Sequence, residues 1–223
     1  MTPILIVIAA AIVAVGFALG WRLLARRAAL PCPTACLWLL ENRMMERVAG
    51  ADLLLDRAGV RPGMTVLDAG CGPGRLTIPL SARVGPAGQV LAVDLQPAML
   101  ERLQARLDSQ AIHNVGTLHA ALGAGMLPAG TFDRAFLVTV LGEIPDRLGT
   151  LREILSALKP GGLLSVTEVF PDPHYQSRQT VRRLAEAAGF RVVEMLGSWR
   201  AFTANLARPD QDPGNDVPQH TAH

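Results

Sequence analysis

Hydrophobic and polar positions alternate in two distinct patterns along residues 61–206. Short apolar runs that end at aspartate or glycine are followed by segments whose apolar residues lie three or four positions apart. The first pattern predicts strands and the second predicts helices, so their alternation predicts a parallel sheet covered by helices. The predicted strands are 64–68, 89–94, 116–119, 132–140 and 162–169, and the predicted helices are 75–83, 97–109, 146–158 and 178–188.

The last part of this region breaks the parallel pattern. Residues 191–196 and 200–206 are strand-like and are separated by a short turn, which predicts an antiparallel hairpin. Residues 208–223 have no apolar periodicity and predict a disordered tail. The fold class is therefore α/β, with a mostly parallel sheet and a terminal antiparallel hairpin.

An uncharged apolar run from Ile4 to Trp21 precedes the domain. As a helix it would be about 27 Å long, which is just enough to cross a bilayer. Arg22, Arg26 and Arg27 follow it directly, so the positive-inside rule predicts a single-pass anchor with the domain in the cytoplasm. A cleaved signal peptide would carry basic residues before the run, and a buried core helix would show a polar face. We therefore favour the membrane anchor over both alternatives.

The remaining N-terminal sequence predicts a linker and amphipathic helices. Apolar residues between 37 and 58 recur at helical spacing, with a break near Gly50, so this segment forms one or two helices that pack on the domain or lie on the membrane. The predicted organisation is an anchor with its basic flank at 1–27, linker and helices at 28–60, the folded domain at 61–207 and the tail at 208–223.

Composition and charge narrow the possible functions. Half of the 223 residues are hydrophobic and 18% are charged, which excludes a chain that is mainly disordered. A formal net charge of +2 does not indicate a nucleic-acid partner. The three cysteines lack Cys-x-x-Cys spacing and the histidines lack ligands at suitable spacing, so we expect no disulfide framework and no metal site.

A glycine-rich turn follows the first predicted strand. Asp68 ends the strand and Gly70, Gly72 and Gly74 follow, which allows a ligand to approach the backbone closely. The dinucleotide motif Gly-x-Gly-x-x-Gly would need a glycine where Arg75 stands, so an NAD-dependent oxidoreductase is disfavoured. A carboxylate at Asp68 repels a pyrophosphate and attracts an ammonium group.

A second acidic residue, Asp94, ends the second predicted strand. A carboxylate in that place can accept hydrogen bonds from two ribose hydroxyls. The expected ligand therefore combines an amino acid with a nucleoside, as S-adenosylmethionine does. Asp68 and Asp94 could instead merely cap turns, but their joint spacing favours the ligand.

These motifs resemble those of the Rossmann-like, class I S-adenosylmethionine-dependent methyltransferases, a group that includes small-molecule, quinone and phospholipid methyltransferases. The resemblance covers about residues 61–206, including the turn at 158–162 before the fifth strand. It implies S-adenosylmethionine as the cofactor. The residues that it assigns to cofactor binding are Asp68, Gly70, Cys71, Gly72, Gly74, Asp94 and Leu95.

One departure from the family concerns adenine. Many members have an acidic residue after the third strand, whereas residues 119–124 here contain none. We therefore expect adenine to be held by backbone groups or by apolar packing from Leu122, Met126 and Leu127.

The methyl acceptor is expected beyond the carboxyl ends of the fourth and fifth strands, where open α/β sheets bind ligands. The candidate catalytic residues there are Glu143, Glu168, His174 and Tyr175. With the predicted anchor, these features predict methyl transfer to a small, membrane-resident acceptor such as a lipid or quinone. The alternative is a non-catalytic S-adenosylmethionine-binding module at the membrane.

Overall fold

The computed structural model describes residue 16, residues 49–170 and residues 172–210. The predicted membrane span, of which only Gly16 is described, the linker before residue 49 and the tail after residue 210 lie outside these ranges. Among the described residues, no helix has the length and apolar character needed to cross a bilayer.

Seven strands and five helices alternate along the described residues. The strands are β1 Thr65–Ala69, β2 Gln89–Asp94, β3 Val115–His119, β4 Phe132–Val138, β5 Leu158–Val169, β6 Arg191–Gly197 and β7 Ala201–Ala207. The helices are α1 Ala51–Arg57, α2 Thr77–Val84, α3 Pro97–Ser109, α4 Arg147–Ala157 and α5 Arg178–Ala188.

The strands form one sheet in the order β3-β2-β1-β4-β5-β7-β6. Strands β1 to β5 run parallel, and β7 pairs antiparallel with both β5 and β6. The predicted parallel sheet with a terminal antiparallel hairpin is thus confirmed. Because β1 and β4 are adjacent although β2 and β3 lie between them in sequence, the strand order reverses beside β1, where such sheets bind ligands.

Both faces of the sheet are buried, as a parallel sheet requires. In β1, Val66 packs with Leu80 of α2 on one face, and Leu67 packs with Ile154 of α4 on the other. Alternate residues of the same strand therefore serve two cores, and the helices cover each of them.

Helix α1 packs against the sheet, which is one of the two placements that the sequence left open. Leu54 and Leu55 are fully buried among residues of β1, α2 and β4. Arg57 donates a hydrogen bond to Thr203 Oγ1 of β7 (2.9 Å), so polar contacts also hold the helix in place.

Three element boundaries differ from the prediction by two residues or more. Strand β5 begins at Leu158, because that residue pairs with Phe132 before a register shift, so the predicted turn at 158–162 is part of the strand. Strand β4 ends at Val138 rather than 140, because Thr139 has a φ of 58°. Helix α2 begins at Thr77 rather than 75, because the glycine turn continues before it.

Candidate functional site

A cleft opens at the carboxyl ends of β1, β2 and β4. Its walls come from the strand ends, the glycine-rich turn and the loops after β2, β3 and β4. The residues that line it are Asp68, Gly70, Cys71, Gly72, Pro73, Arg75, Leu76, Asp94, Leu95, Gln96, Met99, Ala120, Ala121, Leu122, Val138, Thr139, Val140, Glu143, Ile144 and Pro145.

Asp68 lies at the floor of the cleft and is only 3% exposed. Its Oδ2 accepts a hydrogen bond from Thr77 Oγ1 at the start of α2 (2.6 Å). Burial raises the pKa of Asp68 to about 6, and the nearby Asp94 adds to this rise, while the Thr77 bond and the charge of Arg75 oppose it. A buried carboxylate of this kind favours a cationic ligand group, which would restore its charged form.

Two glycines of the turn, Gly70 and Gly72, differ in what surrounds them. Gly70 has a φ of 75°, and a Cβ there would lie 2.5 Å from Val140 Cγ2, so the turn packs directly on the residue after β4. Gly72 also has a positive φ (54°), but nothing lies within 4 Å of its Cβ position. The cleft therefore has free space directly over Gly72.

Gly74, which the resemblance assigns to the cofactor, does not line the cleft. Its φ is 89°, and a Cβ there would lie 2.5 Å from Leu103 Cδ1 of α3. In the structure this glycine lets α3 pack closely against the turn.

Asp94 connects β2 to the glycine turn. Its Oδ2 accepts a hydrogen bond from the Gly72 N–H, and its Oδ1 accepts one from the Gln96 N–H, each at 2.8 Å. Asp94 therefore does cap a turn. Each carboxylate oxygen keeps a second lone pair for a ligand hydroxyl, so the two interpretations of Asp94 are compatible.

The other predicted cofactor residues also lie at the cleft. Cys71 is 6% exposed, and burial raises the pKa of its thiol, so it contributes a neutral surface. Leu95 forms an apolar rim and is 56% exposed. Of the three residues expected to pack on adenine, Leu122 lines the cleft, whereas Met126 and Leu127 do not.

Thr139 is a strained residue at the cleft that the sequence analysis missed. A β-branched residue with a φ of 58° is uncommon and is held there by its surroundings. The Thr139 N–H donates to the Thr167 carbonyl of β5 (2.8 Å), and its hydroxyl donates to the Val138 carbonyl (2.7 Å). No local sequence signal marks a threonine as left-handed; only its place at the end of the central strand could have drawn attention to it.

The four predicted catalytic candidates separate into one residue at the cleft and three outside its lining. Glu143 lines the cleft, in the turn after β4. Glu168, His174 and Tyr175 do not. His174 is 6% exposed and packs over Gly142, and the Tyr175 hydroxyl donates to the Trp199 carbonyl (2.6 Å).

Glu168 is buried at the end of β5 and is 1% exposed. Its Oε2 accepts a hydrogen bond from the Gln176 N–H (2.9 Å). Burial raises the pKa of Glu168 to about 8, with the Asp172 and Glu143 charges adding to the rise, while the Gln176 bond and Arg147 oppose it.

The donor set of the cleft fits S-adenosylmethionine. Asp68 can meet an ammonium group, Asp94 can meet ribose hydroxyls, and the space over Gly72 admits a close ligand. Arg75, which the sequence analysis used only to exclude the dinucleotide motif, adds a positive charge beside Asp68. Among the described residues there is no cluster of side chains suited to a metal ion.

Comparison with known proteins supports this assignment. Residues 66–162 match the family described as "Methyltransferase domain". The chain is 33% identical over 145 residues to the ubiquinone/menaquinone biosynthesis C-methyltransferase UbiE of Shewanella sediminis, covering 65% of this chain and 56% of that protein. It is 38% identical over 108 residues to the demethylmenaquinone methyltransferase of Lactococcus lactis, covering 48% of this chain and 43% of that protein. The chain thus spans about half the length of these relatives.

A solved structure gives the same result for the fold. The crystal structure of a SAM-dependent methyltransferase from Aquifex aeolicus superimposes with a TM-score of 0.73 at 25% identity, covering 79% of this chain and 99% of that one. Residues 66–162 of this chain therefore match a methyltransferase domain on a Rossmann-like fold, and the match implies S-adenosylmethionine as the cofactor.

Proposed function

We propose that the protein transfers a methyl group from S-adenosylmethionine to a ring carbon of a quinone-like acceptor. The observation that carries the proposal is the cleft itself, whose lining combines Asp68, Asp94 and the glycine turn with apolar residues beside a third carboxylate, Glu143. The relatives from Shewanella and Lactococcus are named for C-methylation in ubiquinone/menaquinone biosynthesis and for methylation of demethylmenaquinone, which supports the acceptor class.

In this proposal the cofactor residues hold the methyl donor in place. Asp68 faces the ammonium group, and the Gly72 backbone lets the amino acid approach. Asp94, fixed by two backbone N–H groups, accepts from the ribose hydroxyls. Bound S-adenosylmethionine supplies an electrophilic methyl group on a sulfonium, so positioning is the main task left to the protein.

Glu143 is the proposed proton acceptor. Methylation of a hydroquinone ring carbon forms a carbon–carbon bond, breaks the bond from sulfur to the methyl group, and releases one proton from the acceptor. Apart from Asp68 and Asp94, Glu143 is the only acidic residue lining the cleft in the described part of the chain. Ile144 and Pro145 beside it are apolar and suit a ring.

The test is a methylation assay with the full chain. The chain is incubated with S-adenosylmethionine and a reduced, prenylated demethylquinone in detergent, and the products are analysed by mass spectrometry for a methyl group on carbon. Glu143→Gln should lower kcat strongly and leave the Kd for S-adenosylmethionine unchanged, whereas Glu101→Gln, exposed on α3 and outside the cleft lining, is the matched control. Binding of S-adenosylmethionine without methylation of any quinol would overturn the proposal and favour the non-catalytic binding module.

We also propose a location at the cytoplasmic face of a membrane, on the basis of the apolar run at 4–21 and the arginines that follow it. A quinone-like acceptor dissolves in the bilayer, which agrees with this location. The test is alkaline extraction of membranes that contain the full chain, followed by protease protection. Release into the soluble fraction would contradict the proposed anchor. Cleavage of the domain by protease added outside intact cells would contradict the proposed topology.

A further inference from the structure

Two aromatic side chains and an arginine form an exposed surface beside the cleft, which we call the aromatic patch: Phe170, Trp199 and Arg200. Trp199 is 61% exposed and Phe170 is 38% exposed. Their ring centroids lie 5.8 Å apart, and the Arg200 guanidinium lies 5.1 Å from the centroid of the Trp199 ring. Apolar rings with an adjacent cation are the combination found at membrane–water interfaces.

The aromatic patch is held rigidly. The Phe170 N–H donates to the Arg200 carbonyl, and the Tyr175 hydroxyl donates to the Trp199 carbonyl, each at 2.6 Å. The Tyr175 ring also packs edge-on against Phe170, with centroids 6.3 Å apart. The rings are thus presented in a fixed arrangement although they are exposed to water, which lowers the entropy cost of inserting them into another phase.

The aromatic patch lies on the edge of the sheet that carries the cleft. Val169 of β5 pairs with Ala201 of β7, so Phe170 and the turn that contains Trp199 both lie beyond the carboxyl end of β5. Leu95, which lines the cleft, follows the carboxyl end of β2. Three of the five large apolar side chains exposed in the described ranges, namely Leu95, Phe170 and Trp199, therefore lie at this edge.

The N-terminal segment also joins the domain at this edge. Ala49 is buried in a small cluster with Val169 and Ala201, directly below the aromatic patch. The Ala49 carbonyl accepts a hydrogen bond from Arg75, which lines the cleft (3.0 Å). The chain that arrives from the apolar run at 4–21 therefore enters the domain between the cleft and the aromatic patch.

We propose that the aromatic patch is a second membrane contact, which inserts into the headgroup region of the bilayer and turns the mouth of the cleft toward it. The entry point of the chain favours lipid over other occupants, because the proposed anchor at 4–21 leads through residues 22–48 to Ala49 and thus joins the domain at this edge. Arg200 adds attraction to anionic headgroups. The inference rests on the proposed function in two respects, namely that the apolar run at 4–21 is a membrane anchor and that the acceptor is drawn from the bilayer.

A fluorescence experiment tests the contact directly. The full chain has three tryptophans, so Trp21→Phe and Trp38→Phe leave Trp199 as the single fluorophore. The protein is reconstituted into phosphatidylcholine vesicles with or without phosphatidylglycerol. We expect brominated lipid to quench Trp199 and acrylamide in the aqueous phase to quench it poorly. Quenching by acrylamide but not by brominated lipid would overturn the proposal, as would shielding from both, which would mean that protein covers the aromatic patch.

An activity comparison tests the consequence for substrate access. Phe170→Ala combined with Trp199→Ala should lower turnover of a quinol embedded in vesicles by about tenfold, since buried aromatic area is lost from the contact. Turnover of the same quinol in detergent should be unchanged. Val193→Ala is the matched control, because Val193 is 47% exposed on β6, away from this edge.

The two proposals fail in distinguishable ways. The membrane contact alone would be overturned if turnover in detergent is normal and, in vesicles, the Val193 control and the patch variant lose turnover equally. The same holds if neither variant loses turnover in vesicles. Absence of quinol methylation in detergent would overturn the proposed function, while the quenching of Trp199 would still decide whether the aromatic patch contacts lipid.

Discussion

Replacing Asp68 by asparagine separates two effects of burying this carboxyl group. The pKa of Asp68 is about 6 in the folded protein against an ordinary value of 3.8. Because the folded-state pKa is the higher one, the native protein holds the proton more tightly, and this group lowers stability as pH rises from about 4 to 6. Above pH 6 the full cost applies, about 3 kcal/mol. Asp68→Asn removes the charge, so we expect the free energy of unfolding without cofactor to rise by up to that amount at pH 7.5.

The same substitution should weaken binding of S-adenosylmethionine. Removing one partner of a buried charge pair costs roughly 2–5 kcal/mol, which corresponds to a Kd about 100-fold higher or more. In the unchanged protein, about one Asp68 in ten is ionised at pH 5, so the apparent Kd should be about tenfold weaker there than at pH 7.5. This pH dependence should disappear in Asp68→Asn.

Equilibrium dialysis with labelled S-adenosylmethionine between pH 5 and 7.5 measures the binding, and urea denaturation of the cofactor-free protein measures the stability. Thr77→Val is the matched control: it removes the hydroxyl that donates to Asp68 and should move the midpoint of the pH dependence upward. Unchanged affinity in Asp68→Asn, or lower stability without cofactor, would refute the reasoning. A pH dependence that persists in the variant would assign it to another group, such as a histidine.

Two further predictions concern the stability of the fold. Gly70→Ala places a Cβ 2.5 Å from the Val140 side chain, whereas Gly72→Ala meets open space and adds only about 1–2 kcal/mol of backbone strain. Gly70→Ala should therefore lower Tm more than Gly72→Ala. Thermal denaturation of both variants tests this, and equal losses would contradict it. Asp133 accepts hydrogen bonds from Lys159 Nζ and from the Thr65 N–H of β1, each at 2.8 Å. Burial raises the pKa of this carboxyl group, but the two hydrogen bonds and the Lys159 charge lower the pKa below its ordinary value. Asp133→Asn should therefore cost about 1 kcal/mol at neutral pH, measured by urea denaturation. The difference should shrink as pH falls below about 4 and vanish only below the lowered folded-state pKa, where the carboxyl is protonated in both states. A difference that persists at the lowest pH would contradict the assignment.

The sheet could be predicted because periodicity reports burial. Strands such as β2 are apolar on both faces, and their ends carry the aspartates and glycines that the turns require. The antiparallel hairpin was also predictable, since 197–199 separates two strand-like runs. The start of β5 was not, because pairing of Leu158 with Phe132 depends on a partner distant in sequence that continues the strand through a Pro-Gly-Gly segment.

The candidate site could be predicted only in part, for a similar reason. Asp68 and Asp94 are recognisable from their spacing, and the structure places both at the cleft. The contacts that shape them, Thr77 on Asp68 and Gly72 on Asp94, join segments whose approach only the fold determines. For Glu143 and Glu168, sequence reasoning placed both near the acceptor, and only the packing after β4 and β5 separates the one that lines the cleft from the one that does not.

Glu168 provides the sharpest remaining test, because a buried carboxyl group can be either structural or chemical. Its Oε1 is buried and, among the described residues, has no hydrogen-bond partner, while its Oε2 accepts from the Gln176 N–H. With a pKa of about 8 the group is mostly neutral at pH 7. Because its folded-state pKa is above the ordinary 4.5, the group lowers stability progressively as pH rises from about 4.5 to 8, and the full cost applies above 8.

Glu168→Gln keeps the shape and the acceptor for Gln176 but cannot ionise. If Glu168 is structural, the variant should keep the kcat of the unchanged protein at pH 7. Its advantage in resistance to unfolding should grow from about pH 4.5 to 8 and stay constant above 8, as urea denaturation across that range would measure. If Glu168 instead handles the proton of the acceptor, its substitution will lower kcat without changing the Kd for S-adenosylmethionine, and the limb of the pH–rate profile near 8 will disappear. That second result would transfer the role proposed for Glu143 to Glu168, and it would require the acceptor to reach deeper along β5 than the cleft lining indicates.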